Sequence, residues 1–280
     1  MSTRINHNVL SITAQRNLQV SQSHLDQAVN RLSSGLRINN AWEDPAGLAI
    51  SERFRGQIAG MQEAEKNANY NINLLETAEG AASVIDEKLV RMRALAVQAS
   101  NGALLEGDRA IIDVEFQALK SEVTRIANVT NYNGLNLIDG TYSAAGSLKF
   151  HIGSNNVDGA DFYKISIGSL TASALGLEAA NVDLTNTTNA QATIETIDAA
   201  INIKDTERTT LGSYVERLQN TILNLQVSQE NATKSESQIR DADIAAEMSN
   251  FTRSQILMQS GVAMLSQANM VPQMVAQLIG

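Results

Sequence analysis

The chain has 280 residues, 43% of them apolar, yet it holds only five Phe, five Tyr, one Trp, two Pro and no Cys, too few large rings for a single round, enzyme-like core. The absence of cysteine removes disulfide scaffolds, thiolate nucleophiles and Cys-ligated metals. A formal charge of −9 argues against a phosphate-binding surface, which needs clustered Lys and Arg.

In chain order, the first 20 residues carry Arg4 and Arg16 but no apolar stretch of secretory-leader type, so any export is expected by another route. Ala14, Leu18, Leu25, Val29, Leu32 and Leu36 then form one stripe at helical spacing, an amphipathic helix that needs a partner. Asp44 followed by Pro45 supplies an N-cap and a favoured first helical residue, so a second helix is expected to start there. Its apolar seam runs through Phe54, Ile58, Met61, Ala68, Ile72, Leu75, Ala82, Ile85, Leu89, Met92 and Ala96, and it stops near Asn101-Gly102. A third helix is expected from about Gly107 to Asn128, with Ile112, Phe116, Leu119, Val123 and Ile126 inward.

Residues 131 to about 190 hold seven of the 17 glycines and read as hairpins. Leu148, Phe150 and Ile152 alternate with Lys149 and His151, and Tyr163, Ile165 and Ile167 alternate with Lys164 and Ser166. Asn155-Asn156 and Asp158-Gly159 supply turn chemistry between them. His151 is expected to face solvent. From Ser169 to Thr193 there is no clear period, and a surface excursion or short loop is expected.

From Ile194 a coiled-coil-like seam resumes through Ile197, Ile201, Leu211, Val215, Leu218, Ile222, Leu225, Ala232 and Ile239, a helix of roughly 65 Å for about 45 residues. Finally Ile244, Met248, Phe251, Met258, Val262 and Leu265 form a second terminal stripe, and no charged side chain follows Arg253. A charge-free run of this length prompts a membrane reading. The run of Gln residues (Gln255, Gln259, Gln267, Gln273, Gln277), with Asn269 and Pro272, counts against it, and burial at a subunit junction or along an aqueous passage fits better. Helix, strand and helix are thus segregated, giving a mainly α fold with a small β-hairpin region and an elongated helical bundle flanked by paired terminal helices.

No nucleotide-binding, zinc-protease, serine-hydrolase or EF-hand motif is found, His7, His24 and His151 are far apart, and no catalytic or metal residue, cofactor or enzyme activity is assigned. Asp241 and Asp243 are explained by a helix boundary.

Two long segments carry a family resemblance. RLSSGLRINNAWEDPAGLAISERFR, Arg31 to Arg55, and QIRDADIAAEMSNFTRSQILMQSGVAMLSQANMVPQMV, Gln238 to Val275, resemble the conserved ends of bacterial flagellins, here a short form lacking the large outer variable domains. Trp42 departs from some relatives. The resemblance implies an inner domain of terminal helices, residues 1–43 and 241–280, and a rod-like bundle, residues 44–240, that includes the variable region 131–190.

It also implies a subunit that polymerises into the flagellar filament for swimming. Such a subunit is exported unfolded by the flagellar type III apparatus, lies outside the cell, and enters no membrane and binds no nucleic acid. Its implied partners are copies of itself, an export chaperone on the C-terminal helix, the filament cap and the hook-associated junction proteins. A hook–filament junction protein and a non-filament coiled-coil protein are the alternative readings. Subunit assembly is expected at Leu18, Leu25, Val29, Leu32, Leu36, Met248, Phe251, Met258, Val262 and Leu265. Contact with the innate receptor Toll-like receptor 5 is expected at Arg91, Leu95 and Glu115. Gln259, Ser266 and Gln273, seven apart, are expected to line a passage. Ser and Thr between Thr141 and Thr193 are the expected glycosylation positions.

Overall fold

The computed structural model describes residues 7–144, 146–179 and 181–279, with side chains through Met274; Arg4 and the side chain of Gln277 lie outside the described residues. Five helices are described: α1 (Val9–Ser34), α2 (Pro45–Ala99), α3 (Glu106–Val129), α4 (Thr187–Arg240) and α5 (Ile244–Ile279). Two antiparallel hairpins, β1 (Asn131–Tyr132) with β2 (Leu135–Asn136) and β3 (Leu148–His151) with β4 (Phe162–Ile165), lie between α3 and α4. The mainly α fold with a small hairpin region is therefore what the chain adopts. By internal contacts it forms two units, residues 1–57 with 231–280 and residues 58–230.

Unit 58–230 is held by one apolar cluster. The inner faces of α2 (Ala68 to Ala99), α3 (Phe116, Val123, Ala127) and α4 (Ala190 to Leu218) meet in it. Charged pairs link α2 to α4 in reversed order: Arg93 with Asp198 at 2.6 Å, Asp86 with Lys204 at 2.5 Å, and Glu79 with Arg208. That order fixes the two helices antiparallel. Lys204 is 2% exposed and also meets Asp205 at 2.6 Å, so its buried charge is compensated on both sides. Burial pulls the Lys204 pKa down, but Asp205 and Asp86 outweigh it and hold the ammonium above its ordinary range.

α2 begins where Asp44 and Pro45 predict, with the Asp44 Oδ1 accepting from the Gly47 amide at 2.8 Å. It ends on a device the sequence does not announce. Buried Arg109 of α3 donates to the Ala99 and Asn101 carbonyls, both at 2.9 Å, satisfying acceptors that a helix C-terminus leaves unpaired.

The hairpins follow the alternation. Phe150 and Ile165 are buried while Lys149 and Lys164 are exposed, and Asn133 and Gly134 take left-handed φ of 50° and 80° in the tight turn between β1 and β2. Between β3 and β4 the Asp161 carboxylate gathers the loop by accepting from the Asn155 and Val157 amides at 3.1 and 2.9 Å. His151 is half-buried, not solvent-facing, because its ring stacks on Phe162 with centroids 6.2 Å apart.

The expected surface excursion after Ser169 is also corrected. Leu170, Ala172, Leu175, Leu177, Val182 and Leu184 are all buried in the main cluster, and a sequence of turns, with Gly176 at φ 76°, aims them inward without a repeating period. Thr193 is fully buried and donates to the Asp183 carbonyl at 3.2 Å, so it leaves the set of exposed glycosylation positions.

Candidate assembly surface

Unit 1–57 with 231–280 contains the two terminal helices, which pack antiparallel along their length. The Asn8 side chain starts α1 by accepting from the Ser11 amide at 3.1 Å. Its amide nitrogen donates to the Ala268 carbonyl at 2.8 Å, and Ser11 donates to the Asn269 side chain at 2.8 Å. At the other end of the pair, Arg31 meets Glu247 at 2.9 Å. These contacts at opposite ends set the register.

The seam between them is a three-four repeat in both helices. On α1 the sheltered positions are Ser11, Ala14, Leu18, Ser21, Leu25, Ala28 and Leu32; on α5 they are Glu247, Phe251, Ser254, Met258, Gly261, Leu265 and Ala268. Large and small side chains alternate, which lets the helix axes approach closely. Leu18, Leu25, Leu32, Phe251, Met258 and Leu265 thus lie in the seam, and Leu36 is half-buried beside it. Val29, Met248 and Val262 do not belong to it: they are 45%, 47% and 54% exposed. The sheltered places belong instead to their neighbours Ala28, Glu247 and Gly261: Ala28 and Gly261 are small enough to fit where the backbones are near, and Glu247 is held there by its ion pair with Arg31. A small residue recurring every seventh position (Ser254, Gly261, Ala268) was the signal in the sequence for this shift.

Outside the seam both helices remain apolar. Val9, Ile12 and Val20 on α1, and Ile256, Leu257, Met264, Met270 and Met274 on α5, are between 44% and 64% exposed. Monomeric proteins rarely leave apolar side chains clustered this way unless the surface binds something. Gln259, Ser266 and Gln273 are all exposed on one outward face of α5. Among the described residues no helix is long and apolar enough to cross a membrane.

The connecting segment after α1 is held at both sides. Gly35 ends the helix in the left-handed region at φ 72°, and residues 35–37 and 240–242 then pair as a short antiparallel bridge. Its bonds run from the Arg37 amide to the Arg240 carbonyl at 2.6 Å and from the Ala242 amide to the Gly35 carbonyl at 2.9 Å. Arg37 also donates through its guanidinium to the Ile239 carbonyl, and Arg240 meets Glu52 at 2.6 Å. Arg240, then Arg55, hold the Glu52 carboxyl below its ordinary pKa. For Glu43, burial pushes the pKa up, but the Asn39 and Asn40 amides and the Arg31 charge outweigh it and hold the carboxyl low.

The three positions expected to meet the receptor, Arg91, Leu95 and Glu115, lie on unit 58–230. Arg91 and Glu115 are exposed and joined at 2.7 Å across α2 and α3. Leu95 is not a surface residue. It is 2% exposed within the main apolar cluster, because it falls on the face of α2 that looks inward.

The chain matches two family models, the bacterial flagellin N-terminal helical region over residues 5–143 and the bacterial flagellin C-terminal helical region over residues 194–279. It is similar to a flagellin of Halalkalibacterium halodurans, 42% identical over 275 residues, covering 98% of this chain and 99% of the relative. It is also similar to the flagellar filament 33 kDa core protein of Treponema phagedenis, 38% identical over 286 residues, with 98% and 99% covered. Among solved structures, the crystal structure of Bacillus cereus flagellin aligns with 57% of this chain and 88% of that chain, at 29% identity and a TM-score of 0.47.

Proposed function

The chain belongs to the bacterial flagellin family and is a structural subunit of the flagellar filament, and from that premise we propose that it assembles through the outward apolar faces of its paired terminal helices. The observation that carries this reading is the row of exposed Val, Ile, Leu and Met on both α1 and α5. A seam already closed on one side leaves those residues for neighbouring copies, and a helical lattice needs contacts of the heterologous, non-closing kind. The inner domain is taken as residues 1–43 and 241–280 and the rod as residues 44–240.

The finer reading follows the family. The subunit leaves the cell unfolded through the flagellar export apparatus, guarded by a chaperone on α5, and joins the filament outside the cell beneath its cap, above the hook-associated junction proteins. A chain without cysteine forms no crosslink during that passage. Gln259, Ser266 and Gln273 would present uncharged side chains to later subunits in transit. Recognition by Toll-like receptor 5 would engage Arg91 and Glu115 at the surface, with Leu95 supporting α2 from beneath.

Deleting residues 1–35 tests the assembly reading. Seeded polymerisation, followed by electron microscopy, should be abolished, while strong helical circular dichroism persists from the remaining chain. Filaments formed by the shortened protein would overturn the role given to α1.

A further inference from the structure

Trp42 is the one tryptophan of the chain, and it is 75% exposed although the segment bearing it is firmly held. Ile38, four residues earlier, is 1% exposed. Glu43, next to it, accepts from the Asn39 amide at 2.8 Å and the Asn40 amide at 3.4 Å. Asp44 then caps α2. A large ring fixed in place and left in water matches the anchors that dominate protein interfaces, since its ordering cost is met before binding.

The same unit contains a groove between α1 and α5, about 330 Å³ in volume, whose lining includes His24, Ala28, Arg31, Arg253 and Leu257. That volume lies at the low end of the roughly 300–1,000 Å³ of small-ligand pockets, suited to one ring system and too small for a folded segment. Ala28 and Leu257 supply apolar walls. Arg253 has no ion pair or side-chain hydrogen bond among the described residues, while Arg31 is held by Glu247, which also lines the groove, and keeps only its Nε without a hydrogen-bond partner. Guanidinium groups of this kind stack favourably on an aromatic face.

We propose that Trp42 is a subunit-docking anchor whose indole enters the α1/α5 groove of a neighbouring copy, between the Arg31 and Arg253 guanidiniums and the walls of Ala28 and Leu257. Knob and groove are different patches of one surface, so the contact propagates from copy to copy and does not close into a dimer. The proposal rests on the filament-subunit reading and adds to it a specific pair of contacting patches.

The test follows Trp42 fluorescence during seeded polymerisation, with electron microscopy of the same samples. Emission is expected to be that of a water-exposed indole in the monomer and to move to the blue as filaments form. Trp42→Ala should raise the critical concentration about tenfold with unchanged helical circular dichroism. Arg253→Ala should raise it as well, and the double variant should be no worse than Trp42→Ala alone, the mark of a direct pair. Filaments in which Trp42 stays water-exposed, or two single losses that simply multiply, would overturn the docking proposal while leaving the filament reading intact. Blue emission already present in dilute monomer would assign the ring to its own chain and overturn it too. If no filaments form under any condition, the filament reading falls and the proposal with it.

Discussion

Gly261 faces Leu18 across the α1/α5 seam, and a Cβ at that position would come within 2.9 Å of the Leu18 Cδ1. The contact is with the tip of a flexible side chain, so a single methyl is accommodated by a small shift. Gly261→Ala is therefore expected to stay within about 1 kcal/mol of the parent, the steric cost being offset by the roughly 1 kcal/mol helix propensity that Ala gains over Gly. Gly261→Leu has no such outlet and should cost about 1–3 kcal/mol by overpacking, read in urea unfolding followed by circular dichroism, with polymerisation weakened in parallel. An equal loss for both substitutions would contradict the close approach. Residues of this sort were the least legible in the sequence. A glycine or serine carries no hydrophobic signal, so the stripe count settled on Met248 and Val262, whose large side chains draw the eye but flank the contact. Leu95 departs in the opposite direction, because a family resemblance says nothing about which face of α2 turns inward. Arg109 was invisible for another reason: its partners are backbone carbonyls, which leave no mark in the pattern of side chains.

Helices were legible where their period was long and their starts chemically marked. The Asp44-Pro45 start of α2 and the span of α3 follow from capping and spacing alone, and β3 and β4 from alternation with turn residues between them. The stretch from Ser169 to the start of α4 was not legible, since buried Leu and Val reached through successive turns have no period to count. The register between α2 and α4 depends on ion pairs whose partners lie more than a hundred residues apart, which no local pattern contains. One of these pairs sets a pH dependence. Arg93 holds the Asp198 carboxyl below its ordinary pKa, so its stabilising contribution is present above the unfolded-state pKa and is lost as pH falls through the folded-state value. Glu52, held low by Arg240 and Arg55, has the same sign. The thermal midpoint is therefore expected to fall as pH drops through the acidic carboxylate range, and Asp198→Asn should flatten part of that decline. An acid profile identical to the parent's would remove Arg93–Asp198 from the account. Both groups are exposed, so the effect should also shrink at high salt.

For the molecule as a whole, the scarcity of aromatic residues now has a location. The apolar content is spread along thin helical interfaces of Leu, Ile, Val, Met and Ala, one inside unit 58–230 and one between α1 and α5, and a further apolar surface on the terminal helices is left for other copies. The charge distribution follows the same division, with no ionisable side chain after Arg253. If neutrality of the outward face of α5 serves the passage of later subunits, Gln259→Lys combined with Gln273→Lys should slow filament elongation in timed growth assays without altering monomer circular dichroism. Unchanged growth would sink that idea.

The partnership of α1 with α5 also orders events in time. Asn8 and Ala268, 260 positions apart in sequence, are hydrogen-bonded, and closing so long a flexible loop in one step costs about 5 kcal/mol of chain entropy. Unit 58–230 lowers that cost by only about 1 kcal/mol when it folds first, because Gln226 and Glu65, near its two chain ends, are then joined at 2.7 Å and the segments on either side still have to close. A ribosome still adding α5 therefore holds a chain whose bundle has the means to form but whose α1 has no mate. The seam, and with it the surface that copies would share, comes into being only once the last helix has been made.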